Sequence, residues 1–210
     1  MALFDACLRA GAPMTFTSGM RVLDLGCAEC DWLERARAAW PEVAFVGVDQ
    51  RSPRKPRDGV IKGDVLQLDL FPPETFDAIV SLSAIEHIGL GHYQDPRDPD
   101  GDTIAMRNAY RWLKPGGWMY FDVPYDPTGY RVQGTKCRVY DDAAVVSRLL
   151  TTLPIVDRSR PDVWVRASVH QYFAEHARPG HVIPRPTHAV QPFHYVAMVW
   201  KKPCSPETRT

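Results

Sequence analysis

The sequence predicts an α/β fold, a mainly parallel sheet of seven strands with helices on both faces, three layers in all. Three observations carry this. Short apolar runs alternate with segments of helical spacing, glycine and proline punctuate the junctions, and acids stand where the runs end.

Residues 2 to 10 read as a short helix, and Arg21 to Leu25 as a buried strand ending in a tight turn at Asp24-Leu25-Gly26. Trp32, Leu33, Ala36 and Trp40 then share one helical face, with Asp31 as the N-cap and Pro41 as the stop. Val43 to Val48 is a second strand closed by Asp49, and Gly59 to Asp64 a short third with polar residues at its exit. Phe76 to Ser83 reads as the fourth strand, Asp102 to Leu113 as a helix and Trp118 to Val123 as the fifth strand. Between the last two, Lys114-Pro-Gly-Gly117 ends the helix and lets the chain reverse. Asp141 to Leu150 has helical spacing behind an aspartate cap, Val163 to Val165 reads as a strand, and His194 to Trp200 is a late strand. The proline-dense stretch 179–192 reads as a long loop of the kind that forms functional lids.

Apolar residues make up 45% and charged residues 24% of the 210, the composition of a soluble globular protein. The expectation is a single domain over 1–203 with a loose tail over 204–210. Lys plus Arg equals Asp plus Glu at 25 each, so no net field draws the chain to nucleic acid or to a membrane surface. Arg51-Ser-Pro-Arg-Lys-Pro-Arg57 is a local exception, read as a solvated loop or a phosphate-binding patch. The five cysteines are odd in number and irregularly spaced, the start carries no basic leader, and no long apolar run follows, all of which points to the cytoplasm. Nothing in the pattern fixes an oligomeric state.

A strand entering a glycine turn and a helix, with an acid ending the next strand, is the architecture of adenosine recognition. Asp49 follows Gly26 by 23 positions, close to the separation at which a carboxylate reaches a ribose diol. The turn itself argues against a dinucleotide. Ala28 and Asp31 replace the second and third glycines of such a site, and Glu29 and Asp31 oppose phosphate by on the order of several kcal/mol. S-adenosylmethionine has no phosphate and carries a sulfonium and an ammonium, which acids accommodate.

Val22-Leu-Asp-Leu-Gly-Cys-Ala28, Gly47-Val-Asp49, Gly63-Asp64-Val65, Phe76-Asp-Ala-Ile-Val-Ser-Leu-Ser-Ala-Ile-Glu-His87 and Leu113-Lys-Pro-Gly-Gly117 together resemble the class I S-adenosylmethionine-dependent methyltransferases. The match runs in order over about residues 20 to 125, departing where Ala28 and Cys30 stand in place of the family's glycines. The segment after the fourth strand also resembles a small set of bacterial methyltransferase-like proteins. The resemblance implies a Rossmann-like three-layer sandwich, mostly parallel with a late antiparallel strand, and S-adenosylmethionine as cofactor. It implies cofactor contacts from Asp24, Gly26, Cys27, Ala28, Asp49, Gln50, Asp64, Val65, Ser81 and Leu82. Cys27-x-x-Cys30 reads as part of this loop rather than as a redox pair.

Sites on parallel sheets form at the carboxyl ends of the strands, so the run Glu86 to Asp102 should face the transferred methyl group. His87 is the first candidate for a base, since imidazole titrates near neutrality, with His92 and Tyr93 next. The rival reading has Glu86-His87 only closing the pocket. Glu86 and His87 are weak candidates for a divalent metal, because related metal-dependent enzymes carry Glu-x-x-Glu-His where this chain has Ser83 first. The aspartates at 95, 98, 100 and 102 offer oxygen ligands, or a solvated turn with Asp102 capping the next helix. Tyr125 and Tyr130 border the acceptor or pack in the core, and His170, His176, His181, His188 and His194 are surface or lid residues. A small-molecule acceptor methylated on oxygen or nitrogen is the leading function. An RNA methyltransferase is the alternative, lacking here the lysine-aspartate-lysine-glutamate tetrad; a non-catalytic binding module is the other.

Overall fold

The computed structural model describes residues 14–27, 31–52, 57–151, 163–168 and 194–204. The helix expected over 2–10, the prolines of 179–192 and the tail beyond Cys204 lie outside the described residues, as do Ala28, Glu29, Cys30, His170, His176, His181 and His188.

The strands are β1 (Arg21–Leu25), β2 (Ala44–Asp49), β3 (Val60–Lys62), β4 (Phe76–Leu82), β5 (Leu113–Tyr125), β6 (Arg131–Gln133), β7 (Cys137–Val139), β8 (Val163–Ser168) and β9 (His194–Lys201). Seven of them form one sheet in the order β3-β2-β1-β4-β5-β9-β8, and β6 and β7 form a separate hairpin. β1 to β5 run parallel, while β9 is antiparallel to both β5 and β8. The chain moves outward in opposite directions from β1 and from β4, so a crevice opens between their carboxyl ends.

Helix α1 (Trp32–Ala39) buries Trp32, Leu33 and Ala36 on one face of the sheet, against Val22, Phe45, Val80 and Tyr120. Helix α2 (Gly101–Trp112) buries Ala105, Met106, Ala109 and Trp112 on the other, with Leu23, Ile79 and Phe121. Burying each large apolar side chain contributes about 1.5–3 kcal/mol, so the periodicity legible in the sequence is what fixes the layers.

Several details differ from expectation. Asp31 stands at the N-cap of α1 but makes no side-chain cap bond; it pairs with Arg35 at 3.2 Å instead. The Lys114 to Gly117 turn is held inside the sheet, because Leu113 already pairs with Phe76 and Gly116, at φ 76°, donates its N–H to Lys202. Asp141 does cap the helix Asp142–Ala144, which continues as a π-helical turn over Val145–Leu150. Asp102 is no cap: it lies inside α2, fully buried, accepting bonds from Arg148 Nη2 at 2.7 Å and Tyr140 Oη at 2.8 Å.

Candidate active site

The crevice at the carboxyl ends of β1, β2 and β4 is an open cleft lined by Gly26, Asp49, Gln50, Arg51, Asp64, Val65, Ser83, His87 and Tyr93 among others. Gly26 makes its floor. Its φ of 86° suits glycine, and a Cβ there would meet the Ala84 Cβ at 2.3 Å. Gly26→Ala is therefore expected to cost ~2 kcal/mol, read by urea denaturation, and to weaken ligand binding; wild-type stability would show that the turn tolerates a side chain.

Asp24 is buried beneath this turn. Burial pushes its carboxyl up to about 7, and its Oδ2 has no hydrogen-bond partner among the described residues. Cys27 is buried too, its thiol pushed up to about 12 by burial beside Asp24 and Asp49, the environment of an inert cysteine rather than a redox one. Asp49 ends β2 nearly buried and accepts from the Arg51 N–H at 2.9 Å, Nε at 3.1 Å and Nη2 at 3.2 Å. Asp64 turns the chain after β3 by accepting the Leu66 N–H at 2.9 Å. Val65 is buried beside it.

Ser81 and Leu82, expected as cofactor contacts, do not line the cleft. The Ser81 hydroxyl donates to the Leu25 carbonyl at 3.2 Å, tying β4 to β1, and Leu82 packs into the core. Ser83 and Ala84 line it instead, because Ser83 takes a left-handed φ of 48° at the strand's end and turns the chain inward. The basic run is likewise neutralised where it is described. Arg51 is held by Asp49, and Arg57 binds Glu34 with both nitrogens at 2.5 Å and donates to the Cys27 carbonyl at 2.6 Å.

The three candidate catalytic residues come together, and two of them, His87 and Tyr93, line the cleft. His87 and His92 lie 6.4 Å apart and nearly parallel, while Tyr93 meets His92 edge-on at 4.6 Å and His87 at 5.5 Å. The Arg51 guanidinium covers the Tyr93 ring at 3.9 Å, linking this cluster to Asp49. Glu86 does not line the cleft. It is fully buried, its Oε1 accepts the Ser83 hydroxyl at 2.5 Å, its Oε2 has no partner among the described residues, and burial raises its carboxyl. Asp122, inside β5, is pushed up to about 7 by burial and accepts the Ser83 N–H at 2.7 Å and the Tyr120 hydroxyl at 2.8 Å. Arg51, Ser83 and Asp122 escaped the sequence reading. An acid inside an apolar strand was the available signal for the last.

Among the described residues no group of three or more His, Cys, Asp or Glu is placed to hold a metal ion. Asp95 and Asp98 are used internally, Asp95 accepting the Gly89 and Tyr93 N–H groups and Asp98 that of Asp100. Tyr125 is core, its hydroxyl donating to Asp142 at 2.8 Å, and Tyr130 lies against Tyr140 at 5.8 Å with Arg148 over its ring. No helix among the described residues is long and apolar enough to cross a membrane.

The cleft fits S-adenosylmethionine on two observations: the glycine floor, and a buried acid with an orphaned oxygen under it, which a cationic ligand compensates. Comparison with known proteins agrees. A family model described as a methyltransferase domain matches residues 2–177. A ribosomal RNA large subunit methyltransferase E from Methanococcus maripaludis is 32% identical over 106 residues, 46% of this chain and 41% of that protein. The chain thus spans about two fifths of the length of the curated relatives it matches. In fold it is similar to the [4+2]-cyclase SpnF, at TM-score 0.64 and 19% identity over 97% of this chain and 82% of that one. It is also similar to the 1,6-didemethyltoxoflavin-N1-methyltransferase of Burkholderia thailandensis, at TM-score 0.55 and 16% identity over 96% and 76%. The chain belongs to the methyltransferase-domain family, with the class I fold of S-adenosylmethionine-dependent enzymes.

Proposed function

We propose that this protein methylates an oxygen or nitrogen atom of a small molecule, with His87 taking the proton the acceptor loses. The observation that carries the reading is that one cleft is lined by Asp49 and Asp64 and by His87 and Tyr93. S-adenosylmethionine, when bound, supplies an electrophilic methyl carbon on a sulfonium. Asp49 would hold the ribose hydroxyls, Asp64 and Val65 the adenine, and the Gly26 turn with Asp24 the charged methionine end. Gln50 and Arg51 border the same cleft. The residues after β4 then align the acceptor and keep water out, which is where most of the help to an in-line displacement lies.

Zero net charge and the pairing of Arg51 with Asp49 and of Arg57 with Glu34 support a small acceptor over a polyanion. A fold neighbour crystallised with 1,6-didemethyltoxoflavin and S-adenosylhomocysteine points the same way. The ribosomal RNA relative favours RNA as a second reading, against which stand Ser81-Leu-Ser83 at the end of β4, without the aspartate of that class's tetrad, and Phe121-Asp-Val-Pro124 in β5, without its lysine. Free thiols at Cys27, Cys137 and Cys204 support a reducing compartment such as the cytoplasm.

Calorimetric titration of S-adenosylmethionine into wild type and Asp49→Ala tests the pocket, with NAD as control. Asp49→Ala is expected to lose about 1.5–3 kcal/mol of binding, the worth of hydrogen bonds to a charged group, or roughly 10- to 150-fold in Kd. Silence of the wild type toward S-adenosylmethionine, or binding of NAD, would sink the reading.

A further inference from the structure

The β6–β7 hairpin ends its turn against His87. Lys136 is the last residue of that turn, and its backbone carbonyl is hydrogen-bonded to His87 Nδ1. A carbonyl oxygen can only accept, so Nδ1 carries the hydrogen and a neutral ring keeps its lone pair on Nε2. Nε2 lies 3.6 Å from Glu86 Oε1, beyond hydrogen-bonding distance, and that oxygen already accepts the Ser83 hydroxyl.

The hairpin is fastened so that this carbonyl stays in place. Lys136 donates its own N–H to the Gln133 carbonyl at 2.9 Å, closing a turn that runs through Gly134 at φ 58°. Two residues on, the buried Arg138 guanidinium donates to the carbonyls of Ile88 at 2.6 Å, Pro99 at 3.2 Å and Asp98 at 3.3 Å. With the Glu86 carbonyl also accepting from Arg138 at 3.5 Å, the chain on both sides of His87 is pinned to β7.

We propose that Lys136 is a positioning residue whose backbone carbonyl holds His87 in the Nδ1-protonated tautomer, so that Nε2 is the atom that takes the acceptor's proton. This rests on the methyltransferase reading and narrows it: the acceptor is a hydroxyl or an N–H group, which loses a proton on methylation, and not a tertiary amine or a thioether. In that step the acceptor's O–H or N–H bond breaks, an N–H bond forms at Nε2, and the ring becomes an imidazolium. The Lys136 carbonyl, still accepting from Nδ1, now accepts from a cation, a stronger bond than in the neutral state. The proton then passes to water.

The test is two-bond nitrogen–proton correlation spectroscopy on the full chain labelled with 15N-histidine, at pH 8, above the ordinary range of imidazole titration. The signals of His87 are identified by their loss in His87→Asn. The expected result is a neutral ring protonated at Nδ1. Gly134→Val, which breaks the turn, is expected to move His87 toward the Nε2-protonated form that free histidine prefers, while Lys136→Ala, which keeps the carbonyl, leaves it unchanged. A wild-type ring protonated at Nε2, or at both nitrogens, overturns the proposal, as does a folded Gly134→Val with the wild-type tautomer. If Gly134→Val does not fold, the wild-type spectrum decides alone. Calorimetry on the same samples separates the two readings: S-adenosylmethionine binding with the wrong tautomer defeats the proposal only, and no binding defeats the methyltransferase reading beneath it.

Discussion

Asp102→Ala is expected to lower the unfolding free energy by about 3–5 kcal/mol, the range for removing one partner of a buried ion pair. Asp102 is fully buried and meets Arg148 through Nε at 2.9 Å and Nη2 at 2.7 Å, Tyr140 Oη at 2.8 Å, and Arg138 Nε at 3.6 Å. Taking the carboxylate away leaves the Arg138 guanidinium, itself 1% exposed, with carbonyls for company and without its ion-pair partner. For a chain of this length the loss corresponds to a fall in Tm of roughly 6–20 °C. Asp31→Ala, which removes an exposed pair with Arg35, is the control and should cost less than about 1 kcal/mol. Urea denaturation followed by tryptophan fluorescence compares the two. Equal costs would mean that Asp102 is no keystone. Because Arg138 also holds the carbonyls of Ile88, Asp98 and Pro99, the variant should loosen the segment that carries His87 and Tyr93 as well.

This network shows where sequence reasoning stopped. The seven strands of the main sheet and both long helices were legible because each is a run of side chains with one period, and burial rewards that period directly. The acids Asp24 and Asp49 and the glycine turn were legible because their spacing is set by one strand, one turn and one helix. Asp102 looked like a cap because its partners, Arg138 and Arg148, lie far downstream and nothing local announces them. The β6–β7 hairpin was missed for a similar reason: its three-residue strands are too short to display alternation. Ser83 displaced Ser81 as a cleft residue through a single left-handed backbone angle, which a serine gives no hint of adopting. Arg51 read as one charge in a basic run, whereas its effect comes from Asp49 two residues earlier and Tyr93 across the cleft.

Asp24→Asn is expected to move stability and ligand binding in opposite directions. The Asp24 carboxyl is raised from 3.8 to about 7 by burial, so its proton is held more tightly in the folded chain than in the unfolded one. A raised acid gives stability that is fully present below the unfolded value and is lost as pH climbs through the folded one, here between about pH 4 and pH 7. Above that window the wild type carries a buried carboxylate with Oδ2 unpartnered, a cost on the order of 2–4 kcal/mol that asparagine does not incur. Thermal melts should therefore place Asp24→Asn above wild type at pH 8, with the advantage gone at pH 4. The same negative charge is what a sulfonium and ammonium would compensate from the cleft, so the stabilised variant should bind S-adenosylmethionine more weakly by calorimetry. A variant no more stable at pH 8 would show that Arg57 and the surrounding groups already neutralise Asp24. A stabilised variant with undiminished affinity would show that the charge is not there for the ligand. Only the paired outcome, stability gained and affinity lost, marks Asp24 as a residue kept at a structural cost for binding.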